Sequence, residues 1–263
     1  MAGVWCRRLA ALPLLLALAG GLSGPARAQS SMPYNPAVVP TPRYDRWWWR
    51  LLHARRLARL REGSVGMIWV GDSVTQDWMR DGPQPFVRFH PLWRRLYGRY
   101  DAVNLGVQAD TTANALWRIE NGEVAGISPR VAVVEIGANN LLLAHWDARL
   151  TVPGIEAVVA ALRARLPATH IVLLGILPNA HGPWVARQSA IINAALGRAY
   201  AADPAVSFLD VGRVLYRGGR LDPALFVESH FRPPRPLTHP DPEGMARIAA
   251  AIQPTIARWM GTR

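Results

Sequence analysis

Among the 263 residues there is no lysine, and the only cysteine is Cys6. Because Cys6 lies in a stretch expected to be removed, no disulfide, thiol chemistry or cysteine-ligated metal is left to the remaining chain. Neither a Gly-x-Gly-x-x-Gly nor a phosphate-loop pattern occurs, which argues against a nucleotide cofactor. No histidine and carboxylate spacing has the form of a metal site, so neither cofactor nor metal is expected. Internal repeats, a basic tail and nucleic-acid-binding motifs are also missing, and no nucleic-acid partner is expected. The absence of lysine leaves arginine to carry all 30 basic charges against 18 acidic residues, a formal net charge of +12. Two explanations stand: a coding preference for arginine, or an anionic partner such as an acidic polysaccharide or a membrane surface.

The N-terminus has the layout of a targeting segment. Arg7 and Arg8 precede an apolar run over 9–22, which is followed by Gly24-Pro25-Ala26-Arg27-Ala28. A positive start, an apolar stretch short for a bilayer and an Ala-x-Ala site predict a signal peptide over 1–28, cleaved after Ala28. An uncleaved membrane anchor is the alternative. The paired arginines lack the fuller twin-arginine consensus, which favours the general secretory route. Cleavage removes Arg7, Arg8 and Arg27 and takes the formal charge from +12 to +9. The expected location is periplasmic or secreted, and the lack of disulfides suits an envelope enzyme more than a small stapled module.

Beyond the leader the chain reads as one domain. Residues 29–43, rich in Pro, Ser and Asn, predict an extended arm, and 44–263 the domain itself. Trp47, Trp48, Leu51, Leu52, Ala54, Leu57 and Leu60 have helical spacing. Their tryptophans are read either as core or as a sugar-stacking platform. Strands are predicted at 65–70, 101–105, 131–136, 170–176 and 206–210, and helices at 84–97, 111–122, 152–166, 184–202 and 242–259. Alternating strands and helices with right-handed crossovers predict an α/β fold. It is a three-layer α/β/α sandwich on a five-stranded parallel sheet, in the flavodoxin-like order 2-1-3-4-5.

Four segments fall at one edge of that sheet. The apolar run ending Trp69-Val70 stops at Gly71-Asp72-Ser73, which places a serine hydroxyl at the carboxyl end of a strand. A serine there becomes a nucleophile only if a base and an oxyanion stabiliser reach it. After the second strand, Gln108-Ala109-Asp110-Thr111-Thr112 leads into a helix that Asp110 is expected to cap. After the third, Ile136-Gly137-Ala138-Asn139 brings an amide donor. Before the last helix stands Thr238-His239-Pro240-Asp241-Pro242-Glu243-Gly244, whose histidine can fold back over the strand ends as a base.

The blocks VGDSVTQDW, VNLGVQADTTANALWRIENGEVAGISPRVAVVEIGANN and HPDPEG, in that order, resemble the SGNH (GDSL-type) hydrolase family, in its platelet-activating-factor acetylhydrolase-like branch. The resemblance implies Ser73 as nucleophile, His239 as base, and an oxyanion hole made of the Ser73 N–H, the N–H at Ala109 and the Asn139 amide. Asp72 is expected to organise the turn. The chain departs from the family at two positions. Ala109 stands where the family has glycine, and Pro236 stands where its acid precedes the histidine by three residues. The stretch Leu221-Asp222-Pro223-Ala224-Leu225-Phe226-Val227-Glu228 looks like the lead-in to that acid, with an apparent insertion over 229–236 before Leu237-Thr238-His239. Either Glu228 orients His239 from a longer loop, or a backbone carbonyl does so in a Ser–His dyad. His230 beside Glu228 is the rival base. Arg232 and Arg235 in the inserted loop are read as solvated or as meeting an anionic substrate.

These residues together predict an exported serine esterase that removes a short acyl group, acetyl first, from a carbohydrate or similar oxygen ester. The expected partner is thus a small ester or acylated polysaccharide. The alternatives are an acyltransferase with the same serine, and a catalytically decayed glycan-binding descendant.

Overall fold

The computed structural model describes residues 1–2, 34–233 and 235–261. Most of the expected leader and the start of the arm therefore lie outside the described residues. From Asn35 onward the chain forms one compact unit. Five strands, β1 (Met67–Gly71), β2 (Ala102–Gly106), β3 (Val131–Glu135), β4 (His170–Leu174) and β5 (Val206–Leu209), pair in parallel in the order β2-β1-β3-β4-β5. This is the order that the alternation of strands and helices predicts.

Period-two alternation along strands buried on both faces explains the three layers. Ile68 and Val70 of β1, with Ala132, Val134, Ile171 and Leu173, point into one core. The helices α4 (Thr112–Arg118), α6 (Ala148–Arg165) and α7 (Pro183–Ala199) fill it with Leu116, Ile155, Val158 and Ile192. Met67 and Trp69, with Val131, Val133 and Val172, face the other. There α3 (Phe89–Tyr97) and α8 (Pro242–Met260) supply Leu92, Trp93, Tyr97, Ile248 and Ile252.

Several local expectations need correction. The helix expected over 84–97 begins only at Phe89, because Gly82, Pro83 and Pro85 hold the preceding chain as a loop. The helix expected over 111–122 ends at Arg118 and continues as a wider turn over Ile119–Glu123, where Gly122 takes φ +99°. A short helix α5 (Ala138–Leu142) and a hairpin, β6 (Tyr216–Arg217) with β7 (Arg220–Leu221), have no counterpart in the sequence pattern. In the arm, Pro36–Val38 make a single 3-10 turn, and Ala37 is fully buried. Asn35 donates to the Leu150 carbonyl, and the Thr112 hydroxyl donates to that of Ala37.

Glycines at the strand ends let the segment after β1 lie close against the sheet. A Cβ on Gly106 would stand 2.4 Å from the Gln76 nitrogen and 2.6 Å from the Thr75 carbonyl carbon, both backbone of α2 (Ser73–Asp77). Gly106→Ala is therefore expected to destabilise the protein by about 1–3 kcal/mol through overpacking, measured by denaturant unfolding. An unchanged midpoint would show that α2 can move away freely.

Candidate active site

The site assembles where the strand order reverses, around β1 and its neighbours β2 and β3. Asp72 follows the first strand and caps α2, accepting from the Val74 N–H at 3.1 Å. The cap fixes the turn and leaves the next side chain, Ser73, half-exposed in a cavity of about 460 Å³. His239 reaches the same point from the segment before α8, with Nε2 2.9 Å from Ser73 Oγ. Its Nδ1 lies 2.5 Å from Glu228 Oε1. Of the two arrangements left open by Pro236, the structure has the carboxylate on the histidine.

Glu228 is well placed to hold that ring. Its second oxygen accepts from the N–H groups of Thr238 and His239, each at 3.0 Å, so the carboxylate grips both backbone and imidazole. An antiparallel bridge between Phe226 and Pro240 closes the base of the 229–236 excursion. Val227 N–H donates to the His239 carbonyl, and Asp241 N–H to that of Leu225. Burial alone would pull the imidazole pKa down. The Glu228 hydrogen bond, with the charges of Asp77, Glu228 and Asp72, more than offsets that and raises it above its ordinary value. Burial would push Glu228 up, but the His239 hydrogen bond and the two N–H groups bring it below the usual carboxylate range. His230, the rival base, lines a neighbouring cavity with Arg88, Arg95, Asp241 and Glu243 and not the one holding Ser73.

The loop after β2 is tied at every residue but one. Val107 N–H donates to the Gly71 carbonyl, and Gln108 N–H to the Gln76 side chain at 2.6 Å. Arg43 donates to the Gln108 carbonyl at 2.7 Å, and Asn139 Nδ2 to that of Asp110 at 3.0 Å. Ala109 sits between them at φ +61°, in the left-handed region where a methyl carries strain. Neither its N–H nor that of Ser73 has a hydrogen-bond partner among the described residues. Ser73, Ala109 and Asn139 all line the Ser73 cavity. The arrangement can therefore offer two N–H donors and an amide to a negative oxygen beside the serine.

Asp110 does not cap α4. Thr111 does, in a reciprocal capping box with Asn114. The Asp110 carboxylate turns into the protein instead, accepting from Trp49 Nε1 and from Arg118 Nε, each at 2.8 Å. Arg118 is wholly buried and also donates to the Leu105 carbonyl and to Glu123. Local sequence spacing had no means of finding this cluster, because Trp49 comes from α1 (Trp47–Arg61). It also divides the tryptophan run: Trp49 is buried, Trp48 lies under the Arg43 guanidinium, and Trp47 is exposed.

Beneath the serine turn lies a further acid. Glu135, the one charge in the Val131–Glu135 strand, accepts from Thr75 Oγ1 at 3.1 Å. Burial, reinforced by the nearby Asp72, pushes its pKa well above the usual carboxylate range. Burial likewise pushes Asp72 up to about 7. Such acids hold protons in the folded state that the unfolded chain releases near pH 4, so their contribution to stability falls as pH rises through the raised pKa. Glu135→Gln keeps an acceptor for Thr75 without the charge. The melting temperature of this variant minus that of the wild type is expected to grow by several degrees from pH 5 to pH 8. A pH-independent difference would refute the assignment.

Residues 69–247 match the model of the GDSL-like Lipase/Acylhydrolase family. The chain is 33% identical over 180 residues to the platelet-activating factor acetylhydrolase IB subunit alpha1 of Bos taurus, covering 67% of this chain and 72% of that protein. Among solved structures, a GDSL-like lipase from Bacteroides thetaiotaomicron superposes with a TM-score of 0.62 at 18% identity, covering 78% of this chain and 96% of its own. A carbohydrate acetylesterase family member from Sinorhizobium meliloti does so at 0.54 and 18%, covering 76% and 100%. These two likenesses are of fold. The family match takes in both Ser73 and His239, and its extent places this chain in the GDSL-like lipase/acylhydrolase family of ester-hydrolysing enzymes.

Proposed function

We propose that this protein is an exported serine esterase that removes a short acyl group, acetyl in the first instance, from an oxygen ester on a carbohydrate. The observation that carries the serine mechanism is the continuous relay from Glu228 through His239 to Ser73, at 2.5 and 2.9 Å. Export rests on the basic, apolar and Ala-x-Ala layout of residues 1–28. The carbohydrate ester is favoured by the likeness in fold to the Sinorhizobium meliloti acetylesterase family member. The short acyl group is favoured by the Ala109 methyl at the cavity wall.

In this reading His239 Nε2 takes the proton from Ser73 Oγ as the oxygen attacks the ester carbonyl. The negative oxygen of the tetrahedral intermediate is held by the N–H groups of Ser73 and Ala109 and by the Asn139 amide. His239 then passes its proton to the leaving alcohol. In the second half it takes a proton from the water that attacks the acyl-serine carbonyl, then returns that proton to Ser73 Oγ as the bond to the acyl group breaks and the carboxylic acid leaves. Glu228 keeps Nδ1 protonated and Nε2 free to accept. That directed tautomer sets a working relay apart from the decayed, glycan-binding alternative.

A fluorophosphonate probe is expected to label Ser73 in the wild type, located by peptide mass spectrometry, and to leave Ser73→Ala and His239→Ala unlabelled. A folded wild-type protein that resists the probe would overturn the serine mechanism. Activity requires the neutral imidazole, so kcat/KM is expected to rise with pH through an apparent pKa above the ordinary histidine value of about 6.5. Glu228→Gln should lower kcat by about 10²–10⁴-fold and move that limb to lower pH. A limb that stays in place would remove Glu228 from the relay.

A further inference from the structure

Four side chains follow one another along the wall of the Ser73 cavity. The Arg80 guanidinium lies 4.2 Å from the centre of the Phe86 ring. Phe86 meets Phe231 with ring centres 6.4 Å apart, and the Arg235 guanidinium lies 4.5 Å from the centre of Phe231. All four line the same cavity as Ser73 and His239. The two cations differ in what neutralises them. Arg80 is paired through Nε with Asp77. Arg235 has no ion pair and no hydrogen bond among the described residues. The other titratable groups lining that cavity are already engaged: Glu228 with His239, and His181 with Thr238.

Stacking on an aromatic face fixes the plane of a guanidinium while leaving its in-plane N–H fork open, the geometry that pairs with a carboxylate through two hydrogen bonds. Phe231 therefore works as a mount for a cation, and Arg235 covers a face on which a neutral sugar would otherwise stack. The position along the chain shows which part of a substrate meets it. His239 must deliver its proton to the leaving oxygen, so the alcohol part of the ester lies on the histidine side of the cavity. Arg235 is four residues from His239 in sequence, near the end of the excursion that leads back to it, and both line the cavity.

We infer that the alcohol part of the substrate carries a carboxylate, as in the uronate units of an acidic glycan, and that Arg235 binds it. The inference rests on the proposed esterase activity and narrows its substrate class. A neutral glycan leaves Arg235 hydrated, whereas a uronate gains charge-assisted hydrogen bonds from a preorganised donor.

The test separates binding from turnover. Ser73→Ala protein is titrated calorimetrically with an oligogalacturonate and with a neutral xylo-oligosaccharide of equal length. The acidic oligomer is expected to bind at least about tenfold more tightly, and adding Arg235→Ala should remove most of that advantage. Adding instead Arg198→Ala, an exposed residue in the last turn of α7, controls for diffuse attraction to a basic protein and should leave the ratio unchanged. Equal affinity for the two oligomers overturns the inference, as does an Arg198→Ala loss matching that of Arg235→Ala. Turnover is read separately on 4-nitrophenyl acetate with the Ser73-intact protein. Absence of Ser73-dependent acetate release overturns the esterase reading, whatever the oligomers do.

Discussion

The site depends on one buried cation. The Arg118 guanidinium, with no exposed surface, reaches the carbonyls of Leu105 at 2.9 Å and Gly71 at 3.4 Å, and the carboxylates of Asp110 and Glu123. It thereby joins the carboxyl ends of β1 and β2, which carry the serine turn and the Ala109 loop. Burying such a charge is costly unless it is paired and hydrogen-bonded, and here two acids and two carbonyls meet four of its five N–H groups. Arg56, from α1, adds a second guanidinium to the Leu105 and Gly106 carbonyls. The left-handed Ala109 can persist because its neighbours on both sides are held from outside the loop. The segment that holds them through Arg43 and Trp49 precedes the region matched by the family model.

Electrostatics around the serine run in two opposed directions. Glu228 is drawn below the ordinary carboxylate range by the donors it accepts from, while Asp72 and Glu135, a few residues away in space, are pushed up by burial. Depth and hydrogen bonds both set the difference, since Asp72 and Glu135 are enclosed more completely than Glu228. Glu228 accepts from two backbone N–H groups and an imidazole, whereas Asp72 accepts from one N–H and its other oxygen has no partner among the described residues. Hydrogen bonding thus favours the charged form of the acid that faces His239, whereas burial disfavours the charged form of the acids at the turn.

Much of this was legible from the order of residues. Strands buried on both faces read as short apolar runs, and the Gly-Asp-Ser turn, Asn139 and His239 each adjoin a regular element, where pattern locates them well. The order of the five strands follows from the alternation read with right-handed crossovers and the flavodoxin-like arrangement. Asp110 was misread because a helix start with Asp, Thr and Thr in succession offers three candidate caps, and only the distant Trp49 and Arg118 decide among them. The Phe86 and Phe231 wall had no signal at all. Both rings come from irregular chain rich in proline, where no periodicity relates one side chain to another. Glu228 was visible only as one of two possibilities, since eleven positions separate it from the histidine it touches.

That separation has an evolutionary consequence. The bridge at Phe226 and Pro240 and the paired backbone bonds on either side close the excursion at its base, so residues 229–236 can change in length or composition while the acid and base stay in register. The entropic cost of a longer closed loop grows only slowly with length. Yet Phe231 and Arg235 line the reaction cavity from within that excursion. Reactivity and selectivity are therefore carried by separable modules, and grafting a relative's excursion between Glu228 and Leu237 offers a route to new substrates that leaves the reacting groups untouched.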